Sequence, residues 1–420
     1  MTATKLFLNA SEVVTVAGPA AARRGAGMAD AGVRTGLAVA VDGERIAQVG
    51  AEASMRSAFP DAEIVDCGGG VLTPGLIDSH THAVFGAGRF AEHELRATGV
   101  PYMEIARRGG GIHSSVRDLR SRSESDLVSL ALPRIARIVA SGVTTLEIKS
   151  GYGLTTDDEL KTLRAIRTLR SLVPCRIVAT FLGAHEVPLE YRDAPGGRDA
   201  YIAELTDVML PAVAREKLAE FADVFCEPGA YTVAESRRIL TAARDHALKL
   251  KLHADELAES GGASLAAELG ATSADHLGAI STVGVAALAA SETVATLLPS
   301  TMLFLGRETQ APARALIDAG AAVALATDFN PGTSPLANLG IVMTLGVSRL
   351  HMRVAECLVA VTANGAAALG LSAETGQIAP GFSADLALWD VRDHREIPYW
   401  FGERLCRASW RGGKACHHEG

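Results

Sequence analysis

Both ends of the chain alternate between apolar and polar residues, with the two-residue period of a half-buried β-strand. Residues 37–50 indicate two short strands around the turn "DGE", and residues 383–391 alternate in the same way. Residues 405–416 do so around the turn "GG". Neither end holds enough apolar residues for a domain of its own. We therefore predict one composite β-sandwich domain, built from residues 1–70 together with 374–420.

The middle of the chain has a different pattern, in which short β-rich apolar runs are separated by helical stretches rich in Ala and Leu. Eight such runs occur, at residues 75–80, 143–150, 176–183, 221–228, 248–255, 272–278, 293–300 and 323–330. Strands that alternate with helices indicate βα units and a parallel sheet. Eight units over roughly 250–300 residues are typical of a TIM barrel. We predict an α/β fold with a (β/α)8 barrel at residues 71–373. The long gap at 84–142 predicts an insertion, with a loop at 107–115.

Composition narrows the range of partners and compartments. The chain has 420 residues and a net charge of −8, without a block of like charges, so nucleic acid and anionic membrane surfaces are not expected partners. No apolar run reaches the roughly 20 residues that span a bilayer, and the first residues lack the apolar stretch of a signal peptide. Six cysteines without a C-x-x-C pair predict free thiols in a reducing compartment. We expect a cytoplasmic protein, and leave its oligomeric state open, a homodimer included.

Chemically active side chains recur where the predicted strands end. In a TIM barrel, functional groups gather at the C-terminal ends of the strands. Read in order, these ends carry His80, His82, Lys149, His185, Glu227, His253, His276 and Asp328. So many histidines at successive strand ends are hard to explain by packing. The pattern predicts a site at this end of the barrel.

Four of these residues are candidate metal ligands. His80 and His82 lie two apart, so both imidazoles face the same side of a strand. His253 and Asp328, from the fifth and eighth strands, can complete the set. Imidazole together with carboxylate suits zinc or ferrous iron. Each candidate also has an ordinary structural interpretation when it is considered alone. An H-x-H pair is a weak signal for a metal site, and a single histidine such as His253 is more often a core residue. Asp328 could cap a loop. Their joint placement favours the metal hypothesis.

A bound metal would lower the pKa of its water from 15.7 to about 7, and the resulting hydroxide needs proton-handling groups nearby. Glu256, three residues after His253, and His276 are candidates for this role. Lys149 could be a carbamylated bridge between two metals, but a salt-bridging lysine is the better interpretation because no second ligand set is visible. We interpret the histidines outside the strand ends as structural or solvent-facing; they are His93, His113, His246, His351, His394, His417 and His418.

Several longer motifs resemble one known family. These are "TPGLIDSHTH", "IKSGYGL", "FLGAHEVP", "HADE", "ADHL" and "ATDFNPGTSP". The chain is similar to the amidohydrolase superfamily over nearly its whole length and, within it, to the imidazolonepropionase family. "PG-x-ID-x-H-x-H" is shared by many amidohydrolases, whereas "KSGYGL", "GAHE-x-P" and "D-x-NPGTSP" are far more specific.

The resemblance implies hydrolysis of 4-imidazolone-5-propanoate to N-formimidoyl-glutamate in histidine breakdown. It implies one divalent or trivalent metal ion, zinc or iron, held by the residues His80, His82, His253 and Asp328. It implies a substrate pocket lined by Arg89, Tyr152, His185, Glu256, Asn330, Gly332 and Thr333. Proton transfer would fall to Glu256, His276 and Asp328, in an order that the sequence leaves open.

Arg89 is the candidate cation for the propionate tail, because its guanidinium can grip a carboxylate with two hydrogen bonds. Without the resemblance, a surface arginine would be the preferred interpretation. The runner-up function is a deaminase of the same superfamily, which would use the same histidines and carboxylates on another nitrogen heterocycle. A third hypothesis is a non-catalytic barrel that acts as a binding protein, and the intact ligand set together with Glu256 argues against it.

Overall fold

The computed structural model describes residues 4–100, 104, 109–192 and 194–418. The strands ahead of the barrel are Lys5–Leu8 (β1), Glu12–Val14 (β2), Val33–Arg34 (β3), Leu37–Asp42 (β4), Arg45–Ala51 (β5), Glu63–Asp66 (β6) and Val71–Pro74 (β7). The barrel strands are Leu76–Asp78 (β8), Val143–Lys149 (β9), Arg176–Ala184 (β10), Phe221–Cys226 (β11), Lys249–Ala254 (β12), Ser273–His276 (β13), Val294–Leu297 (β14) and Val323–Leu325 (β15). The strands after it are Leu386–Trp389 (β16), Cys406–Arg411 (β17) and Lys414–His418 (β18).

Strands β8 to β15 form one parallel sheet in which hydrogen-bonded neighbours follow chain order. Each of these strands lies within one of the eight apolar runs found in the sequence, apart from β10, which extends one residue beyond its run. The predicted TIM barrel is confirmed. Strand β9 is buried at every position, since the barrel interior and the outer helices cover its two faces. Leu146 and Ile148 pack in the main apolar core. Lys149 reaches Asp223, two strands away, which places its side chain in the barrel interior.

The barrel closes between its first and last strands. The Asp78 carboxylate accepts hydrogen bonds from the Thr327 backbone N–H at 3.0 Å and from the Thr327 hydroxyl at 2.6 Å. Just beyond, the His82 N–H donates to the Phe329 carbonyl at 2.8 Å. These contacts hold the segment that follows β8 against the segment that follows β15. The segment that carries His80 and His82 is thereby adjacent to the segment that carries Asp328.

The remaining strands form two sheets, in the orders β5-β4-β1-β6 and β18-β17-β16-β7-β2-β3. An apolar layer fills the space between them, where the rings of Phe7 and Trp410 meet edge to face at 4.9 Å. Gly412 and Gly413 join β17 to β18 with φ of 52° and 71°, a conformation that glycine adopts without strain in a two-residue hairpin turn. The predicted β-sandwich from both termini is confirmed.

Strand β7 connects the sandwich to the barrel. It pairs antiparallel with β16 and parallel with β2, so the sandwich sheet continues through Pro74. After the single residue Gly75 the chain enters β8. The division of the chain into units 1–70 plus 374–420 and 71–373 stays a prediction.

Helices surround the barrel and cover its strands, apart from the helix Glu52–Ala58, which packs on β4 and β5 of the sandwich. Their bounds are Glu52–Ala58, Phe90–Ala97, Ile112–Arg120, Glu124–Val139, Thr156–Leu172, Leu189–Arg192, Gly197–Glu204, Leu210–Glu216, Val233–Asp245, Gly262–Leu269, Thr282–Ala289, Pro299–Phe304, Ala313–Asp318, Leu339–Ser348, Val354–Ala360 and Ala363–Ala368, with 3₁₀ turns at Gly25–Ala29 and His394–Glu396 and a π-helical turn at Leu205–Met209. Within the described ranges, no helix has the length and apolar character that crossing a membrane requires.

The insertion expected between the first two barrel strands is present. It holds the helices Phe90–Ala97 and Ile112–Arg120 ahead of the helix Glu124–Val139 that packs on the barrel. The loop predicted at 107–115 is wrong from Ile112 onward, where a helix begins; residues 107 and 108 lie outside the described residues. The three glycines suggested a loop, but Val116 and Leu119 are buried, and their spacing supports a helix.

Candidate active site

Three imidazoles meet at the C-terminal end of the barrel. A ring nitrogen of His80, one of His82 and one of His253 lie within 4.8 Å of one another. All three residues are buried. Asp328 joins them: its Oδ1 lies 3.5 Å from His80 Nε2 and 3.6 Å from His82 Nε2. The structure therefore brings together the four residues that the sequence suggested as ligands. His276 is close as well, in a second such group with His80 and Asp328.

The chemistry of this cluster fits a metal ion. His80 Nε2 and His253 Nε2 are buried and have no hydrogen-bond partner in the described part of the chain. A buried polar atom without a partner is costly and rare in proteins, so such atoms usually indicate a missing partner. Three imidazole nitrogens with one carboxylate oxygen are a donor set that zinc and iron accept. The residues present thus fit the ion that the sequence predicts.

Buried carboxylates lie behind two of these histidines. Asp275 Oδ2 is 2.7 Å from His80 Nδ1. Asp223 Oδ2 is 3.0 Å from His253 Nδ1, and its Oδ1 accepts the His253 backbone N–H at 3.1 Å. Burial raises the pKa of Asp275, against the opposing effect of Lys251 and Lys149. The sequence analysis missed both aspartates.

Lys149 is the ammonium partner of these acids. Its Nζ donates to Glu147 Oε1 and to Asp223 Oδ2, both at 2.8 Å, and lies 3.7 Å from Asp275 Oδ2. Burial alone would lower the pKa of Lys149, but the charges of Asp223, Glu147 and Asp275 outweigh it and raise that pKa. A protonated amine cannot be carbamylated. This geometry agrees with the salt-bridging lysine favoured by the sequence.

Glu256 and His276 face each other beside the cluster. His276 Nδ1 lies 3.7 Å from Glu256 Oε2. Burial, followed by the charges of Asp328 and Glu227, raises the pKa of Glu256 well above its ordinary value. Its neutral acid form therefore persists to a higher pH than that of an exposed glutamate. Glu227, noted in the sequence only as a strand-end residue, accepts the backbone N–H of Glu256 at 3.1 Å and so supports this turn.

Two site residues have unusual backbone conformations. His276 has a φ of 80° and Asp328 a φ of 53°, in the left-handed region that residues with a side chain rarely adopt. Such conformations cost of order 1–3 kcal/mol and cluster at functional sites, where neighbouring contacts hold them. Thr301 supplies one such contact, since its hydroxyl donates to Asp328 Oδ2 at 2.6 Å.

A cavity of about 490 Å³ opens above the cluster, and His82, His253 and Asp328 form part of its wall. The predicted pocket residues on its wall are Arg89, Tyr152, His185, Glu256, Asn330 and Thr333. Gly332 has a different position. A Cβ there would lie 2.1 Å from the Arg89 guanidinium, so glycine leaves the space in which this guanidinium rests. The substrate contacts of Gly332 and of the other pocket residues stay predictions.

Arg89 forms an ion pair at the cavity wall. Its guanidinium donates to Glu92 Oε2 from Nε at 3.0 Å and from a terminal nitrogen at 2.8 Å. Two further arginines that the sequence analysis missed, Arg96 and Arg307, also line the cavity. The Arg96 guanidinium lies over the Phe304 ring, 4.9 Å from its centre. The cavity wall thus carries more arginines than the sequence suggested.

His185 and Tyr152 form an aromatic wall. The His185 ring stacks on that of His82 with centroids 5.1 Å apart, and its Nδ1 lies 3.0 Å from the Gly151 carbonyl oxygen. Since a carbonyl only accepts, Nδ1 carries the proton. Burial, then His253, lowers the pKa of His185 to about 3, so the ring is neutral near pH 7. Its Nε2 is then an acceptor.

The Asn330 side chain forms most of its hydrogen bonds within its own turn. Its Oδ1 accepts the backbone N–H groups of Gly332 at 2.8 Å and Thr333 at 2.7 Å, and its Nδ2 donates to the Asp328 carbonyl at 2.7 Å. Its side chain shapes the loop that carries Asp328. The sequence motif indicated a pocket residue but could not reveal this role.

Three of the histidines set aside in the sequence, His93, His113 and His394, have partners outside the cluster. His93 stacks on Phe304 at 4.7 Å, and His113 Nε2 lies 3.0 Å from an Arg192 nitrogen. His394 Nδ1 lies 2.9 Å from Glu12 Oε2. These contacts agree with the structural interpretation given to them.

Comparison with known proteins places the chain in a family. The amidohydrolase family model matches residues 71–410, and that of the imidazolonepropionase-like composite domain of bacteria matches residues 38–62. An imidazolonepropionase of Caulobacter vibrioides is 46% identical over 391 residues, 93% of this chain and 95% of that protein. The chain belongs to the imidazolonepropionase family of amidohydrolases. The imidazolonepropionase of Symbiobacterium thermophilum is 45% identical over 419 residues, 99% of this chain and 97% of the relative. The resemblance inferred from the motifs is confirmed.

Solved structures share the architecture at much lower identity. An adenosine deaminase from Xanthomonas campestris, solved with bound zinc, aligns with a TM-score of 0.72 and 18% identity over 99% of this chain and 93% of that one. This likeness supports the fold alone, and the substrate and metal of that enzyme do not carry over.

Proposed function

We propose that this site hydrolyses the cyclic amide of 4-imidazolone-5-propanoate to N-formimidoyl-L-glutamate, a step of histidine degradation. The observation that carries the proposal is the convergence of His80, His82, His253 and Asp328 at the floor of a cavity with an arginine wall. Family membership narrows the chemistry to this substrate. A small molecule is the expected partner, and cytoplasmic location stays a prediction.

The same four residues would hold one zinc or iron ion. When bound, such an ion would polarise the ring carbonyl and lower the pKa of a water molecule to about 7. The side chains around it then have defined tasks. The cavity wall of His185 and Tyr152 offers two flat faces against which a planar ring can lie.

Proton transfer falls to three residues. Water adds its oxygen to the ring carbonyl carbon, the bond from this carbon to the ring nitrogen breaks, and the nitrogen leaves with a proton. Glu256, buried and prone to keep its proton, is suited to protonate that nitrogen. Asp328 and His276 are the candidates to accept the proton from water. The new carboxylate and the protonated nitrogen complete the ring-opened product.

Arg89 would bind the propionate tail. Its guanidinium lies on the cavity wall, where Gly332 leaves space for it and Glu92 fixes its orientation. A guanidinium held in one orientation loses little entropy when it binds a carboxylate through two parallel hydrogen bonds.

Replacing Arg89 by alanine should weaken use of the tailed substrate by roughly 10–150-fold, because a lost charged hydrogen bond typically costs about 1.5–3 kcal/mol. Lysine should restore only part of this loss, since a point charge cannot reproduce two parallel bonds. Steady-state kinetics on imidazolone propionate and on the ring without its carboxylate would measure the effect. The loss should appear in KM, and also in kcat if the tail orients the ring.

Glu92→Gln is the matched control for this experiment. It removes the charge beside Arg89 but keeps the guanidinium, so the preference for the tailed substrate should persist. Equal losses on both substrates in Arg89→Ala would show that Arg89 supports the loop and does not bind the tail.

The proposed function has a direct test. Purified protein should convert imidazolone propionate to N-formimidoyl-glutamate without releasing ammonia, and it should contain zinc or iron. Release of ammonia from the substrate would instead favour a deaminase, the alternative that uses the same residues. Metal-free protein that binds but does not convert substrates would point to a non-catalytic barrel.

A further inference from the structure

Five charged residues fill the barrel interior below the site. They are Glu147, Lys149, Asp223, Lys251 and Asp275, each at most 1% exposed. Bulky apolar residues usually fill this space in TIM barrels. Burying ions carries a large desolvation cost, and buried ion pairs are weak contributors to stability. Because these buried charges add little to stability, we look for another role for them.

Their contacts lead to two of the proposed metal ligands. Asp275 Oδ2 lies 2.7 Å from His80 Nδ1, and Asp223 Oδ2 lies 3.0 Å from His253 Nδ1. An imidazole that donates from Nδ1 to a carboxylate keeps its lone pair on Nε2. His80 Nε2 and His253 Nε2 are both buried without a hydrogen-bond partner among the described residues, and His253 Nδ1 lies 3.0 Å from Asp223 Oδ2 without forming an aligned hydrogen bond. A carboxylate beside Nδ1 of each ring would favour the tautomer that a metal needs.

The two lysines hold these aspartates in place. Lys149 donates to Asp223 at 2.8 Å and lies 3.7 Å from Asp275. Lys251 lies 3.9 Å from Asp275 and 3.2 Å from Glu147 Oε1, which also accepts from Lys149 at 2.8 Å. Glu147 thus connects both lysines. Each aspartate is placed by contacts from other strands.

We propose that Asp275 and Asp223 are positioning residues that fix the rings of His80 and His253 with Nε2 directed at the metal, and that Lys149 and Lys251 hold these carboxylates in that role. The inference rests on the metal site of the proposed function. It gives Asp275 and Asp223 a role that the sequence analysis did not assign to them.

Metal affinity tests the proposal independently of catalysis. Co²⁺ is titrated into chelator-treated full-length protein and followed by its visible absorption. Asp275→Asn and Asp223→Asn should each raise the Co²⁺ dissociation constant by roughly 10–100-fold, the usual effect of losing a partner of a ligating histidine. Asparagine keeps the size of the side chain, so the fold should survive, as circular dichroism would verify.

Glu159→Gln is the matched control. Glu159 is equally buried and accepts backbone N–H groups of Gly151, Gly153 and Leu154, so it contacts none of the proposed ligands through these bonds. Its Co²⁺ affinity should equal that of the wild type. An equal loss in this control would overturn the proposal, since the effect would then follow from any change of a buried carboxylate.

A spectroscopic readout separates positioning from general packing. Nitrogen-15 spectra of the metal-free protein should show His80 and His253 protonated at Nδ1, and Asp275→Ala should mix the two tautomers of His80 alone. Unchanged tautomers together with unchanged Co²⁺ affinity in both asparagine variants would overturn the proposal. If Asp275→Ala does not fold, the asparagine variants decide. Wild-type protein that binds no Co²⁺ would refute the proposed metal site and this inference with it.

Discussion

Replacing His253 by alanine should leave the protein without metal and without turnover, while the barrel stays folded. His253 provides one of the three converging imidazoles, and the remaining donors would leave the ion under-coordinated. The loss of affinity should exceed the roughly 10–100-fold change expected when only a partner of a ligand is removed. Elemental analysis after dialysis and steady-state turnover would measure both effects.

His246→Ala is the control for that experiment. His246 follows the helix Val233–Asp245, away from the cluster, so its loss should change neither metal content nor rate. A His253→Ala protein with full metal content and full rate would show that the ligand assignment is wrong. Thermal unfolding of both variants would distinguish loss of a ligand from loss of the fold.

Replacing Glu256 by glutamine should lower kcat by roughly 10²–10⁴-fold, the usual worth of a positioned general acid or base. Glutamine has nearly the same shape but cannot transfer a proton. Metal content should stay at the wild-type level, and KM should change little. Pre-steady-state and steady-state kinetics on imidazolone propionate, together with metal analysis, would measure these quantities.

Glu186→Gln is the matched control, since Glu186 is another carboxylate on the same cavity wall and is paired with Arg192. Its variant should lose far less activity than Glu256→Gln. Comparable losses in the two variants would indicate that the cavity needs negative charge in general and that Glu256 has no individual role in proton transfer.

The sequence was sufficient for the barrel and for the proposed metal cluster because both follow from simple periodicity. His80 and His82 lie two residues apart just after an apolar run, so strand alternation places them together. His253 lies near the end of β12 and Asp328 follows β15, and the parallel strands of a barrel bring their C-terminal ends to one edge. These positions needed no information about loops.

The sequence was insufficient where side chains from distant segments meet. Asp275 directly precedes His276, so alternation predicts opposite faces, but the left-handed backbone at His276 breaks that rule. Arg96 lies in the last turn of the helix Phe90–Ala97 of the insertion and Arg307 in a loop, and no barrel periodicity indicates that either side chain reaches the cavity. The glycines before Ile112 suggested a loop, but a helix begins there because tertiary packing outweighs local propensity.

The pairing of β7 with β16 has a consequence for biosynthesis. Strand β7 leaves the ribosome about 300 residues before its partner, a delay of roughly 15–60 s at translation rates of 5–20 residues per second. Throughout that interval one edge of β7 has unpaired backbone groups, which can pair with other nascent chains. The protein should therefore depend on chaperones and on low concentration during synthesis more than its finished structure suggests.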